Sequence, residues 1–533
     1  MSALHLSARA LDGMLGDWRS DGSAYRSLAD RIGLLISDGR IPGGSGLPAE
    51  RELSQRLNLS RSTIGAAYAE LRASGYLESV RGSGSVAKNP AAAPTEAREA
   101  GGMINFTQAA LPAVAGVDEA MRSAAQQIGP FLATLGYEPL GLPQLRQAIA
   151  DRYTERGVPT DADEIMVTSG ALQALTLVAR TMLMRGDRVV IETPTYPHAA
   201  DTLFAAGARL VPVSVVASTE APDGHGTDGP GAPDAPNAPS PLVAPDAPDG
   251  TAPHGSALAE RAGAGAHSSA PAERASAGGW HEEALFQALE RTAPTLAYLM
   301  PDFQNPTGAS MTNDLRRRLA AAAERSATML VIDETTAELD IDRGTPGEFS
   351  PFAAFGDVIT LGSASKTFWG GLRIGWIRAS RPIIRRLLAT RSSSDIGTPV
   401  FEQLVTTELV RRTAELLPLR RADLLAGRDA LRTAVAESLP EWSMPHVDGG
   451  LCAWVNLGRA ASSQLTLAAR TRGLLVTAGP RFGLDGAFER FLRLPINKSP
   501  AETVRAVDAL RLAWGDISGL ALTPDLPAFA DMI

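Results

Sequence analysis

Ser363-Ala364-Ser365-Lys366-Thr367-Phe368-Trp369-Gly370-Gly371-Leu372-Arg373-Ile374-Gly375-Trp376 is the stretch on which the reading of the fold turns. A lysine amine forms a Schiff base with an aldehyde, and the Ser363 hydroxyl with the Arg373 guanidinium fork suits a phosphate. A lysine near a serine is by itself most often a solvated surface residue, so its companions decide. Asp333 follows the apolar run 329–332, where a buried carboxylate pairs with a pyridinium nitrogen; alone it would be a strand-end cap. Asn305, in Asn305-Pro306-Thr307-Gly308, follows the run 296–300 and offers an amide to a phenolic oxygen, though as a bare motif it is a good turn. Gly170 and Ala171 join a strand to a helix whose first N–H groups face a phosphate. Tyr196 has a ring to stack on a pyridine. Arg493 has the fork for a ligand carboxylate, against the plainer alternative of a surface ion pair. Each signal is weak alone, but together they suit pyridoxal 5'-phosphate (PLP). Lys366 and Asp333 are then the catalytic pair, and Asn305, Tyr196, Gly170, Ala171, Ser363 and Arg373 complete the cofactor contacts.

Working outward, the apolar runs 164–167, 188–191, 295–300, 329–332 and 358–361 alternate with helical patterns. Such alternation predicts a mostly parallel sheet covered on both faces. Beyond about residue 399, helical patterns with few strands predict a smaller α+β subdomain. In their fixed order the motifs resemble the fold type I PLP enzymes, the aspartate aminotransferase superfamily, over about 105–514. That resemblance implies a homodimer with sites at the subunit interface, and it assigns Tyr137, in the segment 137–146, to the neighbouring subunit's site. Two positions depart from the pattern. Thr335-Thr336 stands where aminotransferases usually place a tyrosine that tunes the cofactor, and Gly370 where proline commonly precedes Gly-Leu-Arg. PLP binding survives these changes; efficient transamination is not expected to.

Upstream, Tyr25, Leu28, Ile32, Leu35 and Ile36 recur at helical spacing, and Ile41-Pro42-Gly43-Gly44 stops that helix. A second helix is predicted over residues 50–57. Ser60 is placed to cap a third that carries Ile64, Ala67, Tyr68 and Leu71 inward. Two short strands joined by Arg81-Gly82-Ser83-Gly84 complete a winged helix-turn-helix, mainly α with a β wing. The third helix presents Ser60, Arg61, Ser62 and Thr63 at its N-terminal end, where a major-groove reader meets base edges. Arg51 is a candidate phosphate contact, and Arg81 with Gly82 forms a wing tip able to approach the backbone closely. The bland alternative is an ordinary small helical surface. The block closely resembles the GntR family of bacterial regulators, which bind DNA as dimers. The resemblance implies that Arg51, Arg61 and Gly82 lie at or beside the nucleic acid.

The whole chain of 533 residues carries a net charge of -9, yet residues 24–88 hold nine Lys and Arg against six Asp and Glu. The acidity gathers in 217–279, a stretch of Ala, Pro, Gly, Asp and Ser without Phe, Trp or Tyr. Such a segment buries too little apolar surface to offset its ordering entropy and is expected to be a disordered insertion. Residues 89–102 read as a linker. Domains are therefore expected at 24–88 and at 103–514, the latter interrupted by the insertion. One cysteine and seven scattered histidines predict neither a disulfide nor a metal site. The absence of a long apolar run or a secretory signal predicts a cytoplasmic protein without membrane contact. A GntR-like domain ahead of an aminotransferase-like module resembles the MocR/GabR-type regulators. Their resemblance implies a double-stranded DNA operator and a sensor of PLP or of an amino acid or amine. Two alternatives stay open: a working aminotransferase with an appended DNA-binding domain, and a regulator that keeps the fold without the cofactor.

Overall fold

The computed structural model describes residues 5–16, 18–19, 23–37, 39–80, 84–88, 102–216, 279–343, 349–484 and 486–519. The wing-tip candidates Arg81 and Gly82, residues 89–101 of the linker and 217–278 of the insertion lie outside the described residues.

The N-terminal core forms where apolar stripes of three helices meet. Leu28, Ile32 and Leu35 of Ala24–Ser37 pack with Leu53 of Glu50–Leu57 and with Ile64, Ala67 and Tyr68 of Arg61–Ala73. Asn58 ends the second helix in the left-handed conformation, φ 53°, which asparagine tolerates better than most residues. Ser60 caps the third: its Oγ accepts the Thr63 N–H at 3.0 Å and so satisfies one of the donors a helix start leaves orphaned. The strands Leu77–Val80 and Gly84–Ala87 pair antiparallel as the wing. A helix that the sequence reading did not anticipate, Ala8–Leu15, puts Leu11 and Leu15 into the same core.

The large domain is a seven-stranded sheet in the spatial order Ile165–Thr168, Gly375–Arg378, Ile359–Ser363, Met329–Asp333, Leu296–Leu299, Arg188–Thr193 and Arg209–Ser214. Gly375–Arg378 runs antiparallel to both its neighbours, and the remaining pairs are parallel. Leu175, Val178, Leu203 and Leu387 cover one face, and Leu285, Leu289, Leu315 and Leu319 the other. Buried on both sides, the central strands are continuously apolar.

The smaller subdomain joins Cys452–Asn456, Phe491–Pro495 and Thr477–Ala478 in an antiparallel sheet backed by the helices Ser462–Thr471 and Pro500–Gly519. Its boundary differs from the expected residue 399. Helix Val400–Arg411 buries Leu404, Val405 and Leu409 against Leu145 and Ile149 of the large domain. Helix Thr413–Ser438 then bridges the two, with Leu416 in the large-domain core and Leu424 and Leu431 in the small one. The segment Ile104–Asn105 pairs in parallel with Leu474–Leu475, so the chain enters this module through the small subdomain.

Candidate functional site

The parallel strands end their carboxyl termini on one side, where helix starts and loops make a crevice suited to ligands. Strand Ile165–Thr168 delivers Gly170 and Ala171, Arg188–Thr193 delivers Tyr196, and Leu296–Leu299 leads to Asn305. Met329–Asp333 ends on Asp333, and Ile359–Ser363 turns directly into the short helix Ala364–Thr367 that carries Lys366. All of these residues, with Ser363 and Arg373, line one cavity of about 350 Å³. Tyr137 does not: it is 60% exposed and lies outside the cavity.

One end of the cavity is built for an anion. Helix Ala171–Met182 starts at Gly170 without a side-chain cap, leaving its first N–H groups for a ligand. The Arg373 guanidinium donates to the Ser169 carbonyl at 3.3 Å and stands beside Gly170. A Cβ built on Gly375 would come within 2.8 Å of the Gly170 and Ala171 backbone, so glycine there lets the strand approach the helix start. The Ser365 hydroxyl is buried on the cavity wall with no hydrogen-bond partner among the described residues. An orphaned buried hydroxyl beside a guanidinium and free helix N–H groups fits a phosphate.

The opposite end suits a heteroaromatic ring. Asp333 Oδ2 accepts a hydrogen bond from the Tyr298 hydroxyl at 2.6 Å, and Oδ1 accepts the Thr335 N–H at 2.9 Å. The reading of the sequence missed Tyr298. Its only signal was a tyrosine within a buried apolar strand, and a buried phenol needs a partner. Cys452 was missed too: its thiol lies 3.6 Å from Asn305 Oδ1. Burial, reinforced by the Arg493 charge, holds the Lys366 amine below the ordinary lysine range. That amine donates to the Ala109 carbonyl at 2.9 Å. Burial, then the Asp333 charge, pushes the Tyr196 phenol up and keeps it protonated.

Arg493 is buried beside this cavity and lines a second one, of about 410 Å³, which shares Tyr196 and His198 with the first. Its Nη2 donates to the Thr107 carbonyl, its Nε has no partner among the described residues, and the Phe482 ring lies 5.4 Å from its guanidinium. A buried arginine with unused donors is a natural carboxylate receptor.

In the N-terminal domain Arg51, Arg61 and Ser62 are exposed, and Thr63 is half-buried. The Ser60 hydroxyl is committed to its cap and lies 2.7 Å from both the Ser62 and Thr63 hydroxyls. Tyr68 donates to the Pro48 carbonyl at 2.9 Å, and Arg72 donates to the Ser85 hydroxyl, also at 2.9 Å, which ties the third helix to the loop that precedes the second and to the wing. Among the described residues no helix is long and apolar enough to cross a membrane.

A family model described as aminotransferase class I and II matches residues 102–227 and 282–510, and one described as bacterial regulatory proteins, gntR family, matches 24–86. YdfD of Bacillus subtilis, named an HTH-type transcriptional regulator, is 26% identical over 495 residues, covering 85% of this chain and 89% of the relative. YdcR of Escherichia coli, of the same designation, is 25% identical over 501 residues, covering 88% and 94%. Among solved structures, kynurenine aminotransferase from Pyrococcus horikoshii superposes with a TM-score of 0.62 at 22% identity, covering 80% of this chain and 95% of that one. This last likeness is one of fold.

Proposed function

Because the chain belongs to the aminotransferase class I and II family and carries a gntR-family domain ahead of that module, we propose that it is a DNA-binding transcription regulator that senses an amine ligand through PLP. The observation that carries this reading is the meeting of Lys366, Asp333, Asn305 and Arg373, distant in sequence, around one cavity. Bound there, PLP supplies an aldehyde that couples reversibly to amines and a ring that withdraws electrons.

Arg373, the Ser363 and Ser365 hydroxyls and the start of helix Ala171–Met182 hold the phosphate. Asp333, fixed by Tyr298 and the Thr335 N–H, would pair with the ring nitrogen, the Asn305 amide would hydrogen-bond the phenolic oxygen, and Tyr196 would stack on the ring. Lys366, whose amine burial keeps closer to its free-base form, would hold the cofactor at its aldehyde, the group that also takes the ligand's amine. Arg493 takes the ligand's carboxylate. Thr335 and Thr336 provide no phenol to tune proton transfer after exchange, and the Thr336 hydroxyl is spent on the Asp302 carbonyl at 3.0 Å. This favours sensing over turnover.

At the other end of the chain, Arg61, Ser62 and Thr63 meet base edges of double-stranded DNA while Arg51 meets phosphate. The working form is a cytoplasmic homodimer in which Tyr137, exposed in the single chain, reaches the neighbouring subunit's cavity.

Adding PLP to the purified protein is expected to turn it yellow, and Lys366→Ala to abolish the colour. Amines are expected to shift the spectrum without sustained keto-acid release. Steady multiple turnover with an amino acid and a keto acid would establish the aminotransferase alternative. A protein that PLP leaves colourless would remove both readings and leave the fold as a scaffold.

A further inference from the structure

The second cavity, about 410 Å³, lies where three parts of the chain meet: Tyr196 and His198 of the large domain, Arg493 and Arg470 of the small subdomain, and Ser37 of the DNA-binding domain. Its charge is one-sided. Arg470, Arg481 and Arg493 border it, and no aspartate or glutamate lines it among the described residues. Arg481 has a carboxylate of its own, Asp201, at 2.6 Å. The other two arginines do not. Arg493 has the neutral Thr107 carbonyl and an unused, buried Nε. Arg470 donates to the neutral Ser37 hydroxyl at 2.8 Å and has no ion pair with a described residue. Thr466 precedes Arg470 by one helical turn on the same face, and its hydroxyl is buried without a partner among the described residues. His198 adds no negative charge, and burial with the nearby Arg481 holds its pKa below the ordinary imidazole value.

Buried or half-buried cations without counter-ions are costly, and an anion that supplies both charge and acceptors offsets that cost. Arg493 accounts for one carboxylate. Arg470 and Thr466, on a different element of the same cavity, call for a second. We propose that the sensed ligand is an amino acid whose side chain ends in a second carboxylate, held by Arg470 with the Thr466 hydroxyl donating to it. This rests on the reading of the adjoining cavity as the PLP site, with the ligand's amine directed to Lys366 and its α-carboxylate to Arg493. The far end of the ligand then lies against the contact between Arg470 and Ser37, the seam of the DNA-binding domain.

The test uses the full-length PLP-loaded protein and two probes of equal chain length, L-2-aminoadipate and L-norleucine. Binding is read by calorimetry and by the visible spectrum. Aminoadipate is expected to bind at least about tenfold more tightly than norleucine, as a charge-assisted pair warrants. Arg470→Gln removes the preference, while Arg470→Lys keeps part of it. Ser37→Ala, which disturbs the seam but keeps the charge, retains the preference and so separates ligand recognition from domain docking. Equal affinities for the two probes, or a preference that survives Arg470→Gln, overturn the proposal. A protein that binds no PLP at all fails the underlying reading instead, and its absent colour identifies that failure before any ligand is added.

Discussion

Gly170 shows how much of the cofactor site depends on a missing methyl group. Its φ of 108° lies in a region that side chains avoid, and a Cβ there would sit 2.9 Å from Arg373 Nη2. Arg373 is itself left-handed at φ 51°, so two unusual backbone conformations bring the guanidinium to the helix start. Gly170→Ala must shift one of them, at a cost of about 1–3 kcal/mol. The expected outcome is a PLP dissociation constant raised about 5- to 150-fold in an absorbance titration, with helix content by circular dichroism unchanged. Unchanged PLP affinity would show that the phosphate sits elsewhere. At this scale the sequence was informative where a functional residue lies beside a strand end within a motif, as Gly170, Asp333, Ser363 and Lys366 do. It was silent where partners come from distant segments. The Tyr298 contact to Asp333, the Cys452 contact to Asn305 and the Ala109 carbonyl on Lys366 are products of tertiary packing, and no local spacing encodes them.

Between elements, the decisive contact is helix Ala24–Ser37 of the DNA-binding domain against helix Ser462–Thr471 of the small subdomain. Leu467 packs onto the N-terminal core, Arg470 reaches Ser37, and Gln464 hydrogen-bonds Asp30. Burial pushes the Asp30 carboxyl up to about 7 from 3.8, against the Gln464 hydrogen bond. Glu489 and Glu70 add to the rise, and Arg26 opposes it. A carboxyl whose folded pKa is raised stabilises the docked state fully below the unfolded value near 4, and this contribution is lost as pH rises through 7. Protection of the Ala24–Ser37 amides, each rate taken relative to the intrinsic exchange rate at the same pH, should therefore be greater at pH 6 than at pH 8, by an amount equivalent to about 1.4 kcal/mol. Asp30→Asn, which resembles the protonated acid, should flatten that dependence. An identical pH response in both proteins would assign it to another group. Two strands show where periodicity fails. Arg209–Ser214 is an edge strand containing Pro212, and Gly375–Arg378 is too short to stand out beside the Arg373 motif. Helix Ala8–Leu15 escaped because it is short and its few apolar residues find their core only in tertiary contact.

For the molecule as a whole, the order of domains was legible because hydrophobic periodicity, turn chemistry and motif order agree over long stretches. The division within the second module was not, because helix Thr413–Ser438 serves two cores with one continuous pattern. The insertion offers the sharpest test at this scale. The chain leaves the described structure at Val216 and re-enters it at Gly279, and these two residues are directly joined: the Val216 N–H donates to the Gly279 carbonyl at 2.8 Å. Val215 and Trp280 form a β-bridge next to them. Trp280 is wholly buried, with its indole N–H on Glu192 Oε1 at 3.0 Å, so the exit and return are pinned by the domain's own core. Replacing residues 217–278 by a four-residue Gly/Ser turn therefore asks nothing new of the fold. Shortening a closed loop from about sixty residues to about four lowers its closure entropy by about 2 kcal/mol in favour of the folded state. The expected result is a protein that still turns yellow with PLP, sediments as the parent does, and melts at the same temperature or a few degrees higher. Loss of the colour or of the folded state in the deletion would mean that residues 217–278 pack onto the module and contribute to its core, contrary to what a stretch with ten prolines and no aromatic side chain can offer.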